Sequence, residues 1–189
     1  MRNLPGFPLS CSRESNWRPW RPALAWRVPL AVRAWLADPG SLTSRVMACC
    51  AGRFRVLVVD QGWALPMHSE ARLLGSTRIA LLREVLLFCD ARPWVFARTL
   101  IPADSLRGGA GRLRLLGDRP LGAVLFADPS TRRECMEVAR LSVGDALYRR
   151  ATSASGDADR YLWGRRTLFR YAGKPLLVNE IFLPGLGSG

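Results

Sequence analysis

One pattern occurs twice in this chain, and it narrows the folds open to it. Residues 83–102 read REVLLFCDARPWVFARTLIP, and residues 165–184 read RRTLFRYAGKPLLVNEIFLP. Each opens on Arg, runs through mostly apolar residues and reaches a four-residue turn ending in Pro. Each then closes with a second apolar run that also ends in Pro. The turns are Asp90-Ala91-Arg92-Pro93 and Ala172-Gly173-Lys174-Pro175. Apolar runs flanking such residues predict two β-hairpins. Laid in register, the two copies put Arg98 at the position of Glu180. Isolated Arg and Glu residues on otherwise apolar strands predict a covered sheet with a few charges aimed at something enclosed.

The remaining elements set the class. Pro29 opens a helix in which Leu30, Val32, Trp35 and Leu36 form an apolar stripe, and Asp38-Pro39-Gly40 ends it. Ser41 caps a second helix running through Leu42, Val46 and Cys49. Residues 54–60 (FRVLVVD) read as a strand, and residues 61–76 as a loop. Residues 106–118 carry Gly108, Gly109 and Gly111 and read as a flexible connection, without the context of a phosphate loop. Pro120 starts a short helix, residues 133–141 read as a strand, and polar residues 143–159 read as an inserted surface loop. Helices first, then hairpin-linked strands, predict an α+β fold with an antiparallel sheet.

A length of 189 residues and 49% hydrophobic content suit one domain with a real core. Residues 1–28, rich in Pro, Arg and Trp, read as a flexible N-terminal extension, 29–184 as the domain and 185–189 as a flexible tail. No uninterrupted apolar run is long enough for a membrane span, and the N-terminus does not fit a signal peptide. The formal charge of +13 comes almost wholly from arginine, since Lys174 is the single lysine. Those arginines are spread along the chain, and no nucleic-acid-binding motif accompanies them, so no nucleic-acid partner is expected. Cys11, Cys49, Cys50, Cys89 and Cys135 are an odd number, and free thiols in a cytoplasmic protein are the expectation. His68 stands alone as the one histidine, so neither a metal site nor a Cys-His pair is expected.

The blocks LLREVLLFCDARPWVFARTLIP, RPLGAVLF and LWGRRTLFRYAGKPLLVNEIFLP, in that order, resemble the chorismate lyase family over residues 29–184. The segment AWLADPGSLTSRV resembles the family's N-terminal part. The resemblance implies a single domain with a six-stranded antiparallel sheet and helical flaps over a buried ligand pocket. It implies conversion of chorismate to 4-hydroxybenzoate and pyruvate without cofactor or metal, for ubiquinone biosynthesis, by a cytoplasmic monomer. It also implies four ligand-contacting positions. Arg83 of Leu-Arg-Glu matches the carboxylate-binding arginine, Leu121 of Pro-Leu-Gly a second contact, and Glu180 the acidic residue before the last Phe-Leu-Pro. Leu42 stands where the family has a methionine on its flap.

These residue types suit the reaction. Chorismate carries a ring carboxylate and an enolpyruvyl ether with a second carboxylate, and loss of pyruvate makes the ring aromatic. Orientation in a dry site matters more than a strong nucleophile. Guanidinium offers carboxylate a planar pair of donors, and Glu180 can either hold the ring hydroxyl or take the neighbouring ring proton. Arg98 is a second candidate cation. Each residue also has a plainer reading: Arg83 as a solvated or ion-paired strand residue, Glu180 as an ion-pair partner of Arg98 or Arg166, Leu121 as core. The alternative function is a non-catalytic small-carboxylate sensor of the same fold.

Overall fold

The structure is a computed structural model, and it describes residues 13–186. Its frame is a single antiparallel sheet of seven strands. In chain order these are β1 (Arg18–Pro19), β2 (Phe54–Ala64), β3 (Ala80–Cys89), β4 (Arg92–Pro102), β5 (Arg132–Ser142), β6 (Tyr161–Tyr171) and β7 (Lys174–Phe182). They lie in the order β1-β5-β6-β7-β4-β3-β2. The expected six long strands are present. The seventh, β1, is a two-residue piece that pairs with β5 at the sheet edge.

Both predicted hairpins form, β3–β4 and β6–β7. Ala172 and Gly173 both take positive φ, 49° and 74°, as a two-residue hairpin turn demands. The hairpins differ in one respect that decides the site. In β6–β7, Arg165 pairs with Glu180. In β3–β4, Leu87 pairs with Val95 but Phe88 pairs with Pro93, so Trp94 is an extra, bulged residue. The bulge slips the register by one. Arg83 therefore pairs with Thr99, and Arg98 pairs with Glu84. A one-residue slip sends every later side chain to the other face. Arg98 thus does not share the face of Glu180, contrary to the match between the two repeats.

Five α-helices are described: α1 (Leu30–Ala37), α2 (Leu42–Cys49), α3 (His68–Leu74), α4 (Leu121–Ala127) and α5 (Ala146–Ser155). The helices read at Pro29, Ser41 and Pro120 are present, and the Ser41 hydroxyl accepts from the Ser44 N–H at 3.3 Å. Two expected loops are corrected. Within 61–76, β2 continues to Ala64 and α3 follows, stopped by Gly75 at φ 64°. Within 143–159, α5 buries Ala146, Leu147, Tyr148 and Ala151, and Gly156 at φ 71° ends it. Small and polar residues hid that helix, because its apolar stripe is only one side wide. The glycine-rich connection carries a 3-10 helix, Gly108–Leu115, that buries Ala110 and Leu113.

Part of the expected N-terminal extension, residues 1–12, lies outside the described residues. From there on the chain packs on the sheet: the backbone N–H of Trp20 donates to the Met136 carbonyl at 3.1 Å, and Val28 is buried. Of the expected tail, Leu186 packs against the core. The expectation of free thiols is also corrected. Cys50, at the end of α2, is disulfide-bonded to Cys89, at the end of β3. The helix brings together two cysteines 39 residues apart, a proximity that no local pattern carries. Cys49 and Cys135 are free, and Cys11 lies outside the described residues. Among the described residues, no helix is long and apolar enough to cross a membrane.

Candidate active site

The sheet register brings one set of side chains onto a common face. Arg83 on β3 pairs with Thr99 on β4, which pairs with Val178 on β7. In the next row, Val85 pairs with Ala97, Ala97 with Glu180, and Glu180 with Arg165. Arg83 and Glu180 therefore stand two strands and one row apart, about 12 Å between Cα atoms from ordinary sheet spacings. Side chains from both ends can reach a six-membered ring lying between them.

Two helices roof this face. The starts of α2 and α4 meet above it, and Gly122 makes the meeting possible. A Cβ there would lie 2.9 Å from the Ser41 hydroxyl and 3.2 Å from that of Thr43. This close approach is the structural reason for glycine in Pro-Leu-Gly. Beneath lies a cavity of about 50 Å³. Arg83, Thr99, Ala97, Val178 and Glu180 form its floor, Ser41, Leu42, Thr43, Leu121 and Gly122 its roof, and Phe126 and Phe169 line it as well.

Arg83 is 3% exposed and meets only neutral groups. It donates to the Gln61 side-chain oxygen at 3.1 Å and the Arg119 carbonyl at 3.4 Å. Burial lowers its pKa, and the charge of Asp118 offsets this only in part. Guanidinium stays protonated regardless. Glu180 is held differently. Its Oε2 accepts from Arg165 Nε, and Arg165 also donates to the Trp35 and Asp38 carbonyls, at 3.0 and 2.8 Å. One buried guanidinium thus ties Glu180 to the end of α1, the helix preceding the roof. Oε1 of Glu180 accepts no hydrogen bond from the described residues.

The opposite face of the sheet carries a second polar row, Glu84–Arg98–Asn179–Arg166–Glu137, one residue from each of five strands. Its charges are matched. Arg98 binds Glu70 at 3.0 Å and Glu84 at 2.9 Å. Arg150 also pairs with Glu84, and Arg166 with Glu137. Burial disfavours the Arg98 charge, but Glu70 and Glu84 outweigh it and raise its pKa. Asn179 donates to Glu70 at 3.1 Å, which closes the network.

All four residues singled out in the sequence, Arg83, Leu121, Glu180 and Leu42, line the one cavity. Arg98 does not, and the partner of Glu180 is Arg165 rather than Arg98 or Arg166. Sequence reasoning missed Arg165, although it opens the second repeat, and it missed the aromatic wall of Phe126 and Phe169. Among the described residues, no group of three His, Cys, Asp or Glu side chains could hold a metal ion.

An antiparallel sheet roofed by helices, with Arg83 and Glu180 facing one cavity, defines a single-domain α+β protein. Comparison with known proteins narrows this. The model of the chorismate lyase family matches residues 15–187, and the chain belongs to that family. It is 47% identical to a probable chorismate pyruvate-lyase of Aromatoleum aromaticum over 171 residues, covering 88% of this chain and 90% of that protein. To a protein of the same description from Methylococcus capsulatus it is 44% identical over 159 residues, 83% of this chain and 97% of that one. Among solved structures, the effector domain of PhnF from Mycobacterium smegmatis superposes with a TM-score of 0.52 at 17% identity. That match covers 77% of this chain and 89% of that one, a likeness of fold alone.

Proposed function

We propose that this chain converts chorismate to 4-hydroxybenzoate and pyruvate in the cavity between the sheet and the starts of α2 and α4. The observation that carries this reading is that Leu42, Arg83, Leu121 and Glu180, drawn from four separate segments, line one cavity. Similarity to proteins described as probable chorismate pyruvate-lyases supports the substrate.

In this reading Arg83 holds the ring carboxylate. Its guanidinium is 3% exposed and forms no ion pair among the described residues, so a ligand carboxylate gains a charge-assisted, planar contact. Leu42 and Leu121 close over the ring and exclude water. Glu180 accepts the ring hydroxyl through Oε1 while Arg165 fixes Oε2. The ring proton on the hydroxyl-bearing carbon leaves, and the C–O bond to the enolpyruvyl group on the adjacent carbon breaks. The electron pair departs with the ether oxygen, the ring becomes aromatic, and the enol takes a proton to become pyruvate. Aromatisation supplies the driving force, so Glu180 orients more than it abstracts.

The chain acts as a cytoplasmic monomer without cofactor, and its product serves ubiquinone synthesis. The sensor alternative rests on fold likeness alone, and membership of the chorismate lyase family with relatives at 47% and 44% identity does not favour it. The test is incubation of purified protein with chorismate. Stoichiometric 4-hydroxybenzoate and pyruvate are expected; binding without turnover would favour the sensor.

A further inference from the structure

The two faces of the sheet differ in how their arginines are matched. On the α3–α5 side, Arg98, Arg150 and Arg166 all pair with Glu70, Glu84 and Glu137. On the cavity side, Arg165 pairs with Glu180 and Arg45 with Asp38, at 2.7 Å for the latter. Two arginines on the sheet strands of that face have no carboxylate within 4 Å among the described residues. One is Arg83. The other is Arg133, whose one hydrogen bond goes to the Gly40 carbonyl at 3.2 Å, just before the roof residue Ser41.

Arg133 stands beside the cavity. It pairs in register with Phe169. Its guanidinium lies 5.2 Å from the ring centre of Phe169 and 5.9 Å from that of Phe126, and both rings line the cavity. It lies within electrostatic reach of Glu180, Asp38 and Arg165. Burial and the nearby Arg165 disfavour its charge, and Glu180 and Asp38 restore part of it. Strand order then fixes the sequence of groups across the sheet: Arg83 on β3, Glu180 on β7 and Arg133 on β5. Glu180 comes from a strand between the strands of the two unmatched cations.

A substrate with a carboxylate at one end of a ring, and a hydroxyl beside a carboxylate-bearing ether at the other, has the same order of charges. We infer that Arg133 is the second carboxylate-binding cation of this cavity and selects for the ether-borne carboxylate of a dianionic substrate. The inference rests on the proposed reaction for the identity of the substrate. The aromatic product carries one carboxylate, which Arg83 holds. Arg133 therefore favours substrate over product and helps the product leave.

The test compares a monoanion with a dianion in R133A, R133K and R133Q. The probes are 4-hydroxybenzoate and 3-(carboxymethoxy)-4-hydroxybenzoate, titrated by calorimetry, so the outcome does not depend on turnover. In R133A the dianion should bind about 10- to 100-fold more weakly, while 4-hydroxybenzoate changes less than about threefold, with R133K recovering part of the loss. KM for chorismate should rise with the dianion's Kd. Equal weakening of both probes would make Arg133 a structural latch on Gly40 and overturn the inference, as would no change in either. If R133A does not fold, R133K and R133Q carry the same comparison. Wild-type protein that binds both probes but leaves chorismate intact would instead overturn the proposed reaction.

Discussion

Replacing Arg83 with Ala should separate function from stability. This guanidinium is 3% exposed and, among the described residues, has no ion-pair partner, only two neutral oxygens at 3.1 and 3.4 Å. A buried cation held by neutral acceptors alone opposes folding, since its lost hydration is not repaid by an ion pair. Ala removes that penalty and leaves behind only two neutral acceptors. The expected stability change is therefore small, within about 1 kcal/mol of wild type and in either direction. Binding behaves oppositely. Losing a desolvated charge-assisted contact to a ligand carboxylate costs about 2–5 kcal/mol, roughly 30- to 5,000-fold in Kd for 4-hydroxybenzoate and in kcat/KM for chorismate. Urea denaturation and ligand titration on the same preparation read the two quantities. Unfolding on this substitution would show that Arg83 supports the fold, and near-normal binding would show that it does not hold the ligand carboxylate.

Arg98→Ala should do the reverse: it leaves Glu70 and Glu84 as buried, under-compensated carboxylates, and urea denaturation should show a loss of about 3–5 kcal/mol. The Cys50–Cys89 bond closes a 39-residue separation, so Cys50→Ser or dithiothreitol should lower Tm, by up to about 4 kcal/mol of stability in the chain-entropy view; an unchanged Tm would mean the bond does not form. Glu180→Gln keeps shape but removes charge, and steady-state kinetics should show a loss of about 10-fold shared between kcat and KM. A fall of about 100-fold or more confined to kcat would instead make Glu180 the base.

What could be read in the sequence was whatever local pattern encodes. The hairpins and the Pro29, Ser41 and Pro120 helix starts sit in contiguous motifs, while Leu42, Arg83, Leu121 and Glu180 were singled out through the resemblance to the chorismate lyase family. What escaped depends on register and on contacts distant in sequence. The two repeats align Arg98 with Glu180, yet the bulged Trp94 turns Arg98 to the opposite face, and nothing in the string DARPWVF marks that extra residue. Glu70 looked like loop because α3 is only seven residues long, although Gly75 at its end was a legible stop signal. Cys50 and Cys89 meet only because α2 packs over β3. Arg133 reads as one arginine among many; only the pairing of its neighbours, seen in three dimensions, leaves it unmatched.

In the proposed reaction one cavity holds the aromatic ring between Arg83 and Glu180 beneath Leu42 and Leu121. A crystal structure of the protein with 4-hydroxybenzoate tests it most directly. The ligand carboxylate should lie on the Arg83 guanidinium, the hydroxyl within hydrogen-bonding distance of Glu180, and both leucines against the ring. Ligand bound elsewhere, or bound in this cavity with its carboxylate away from Arg83, would contradict it.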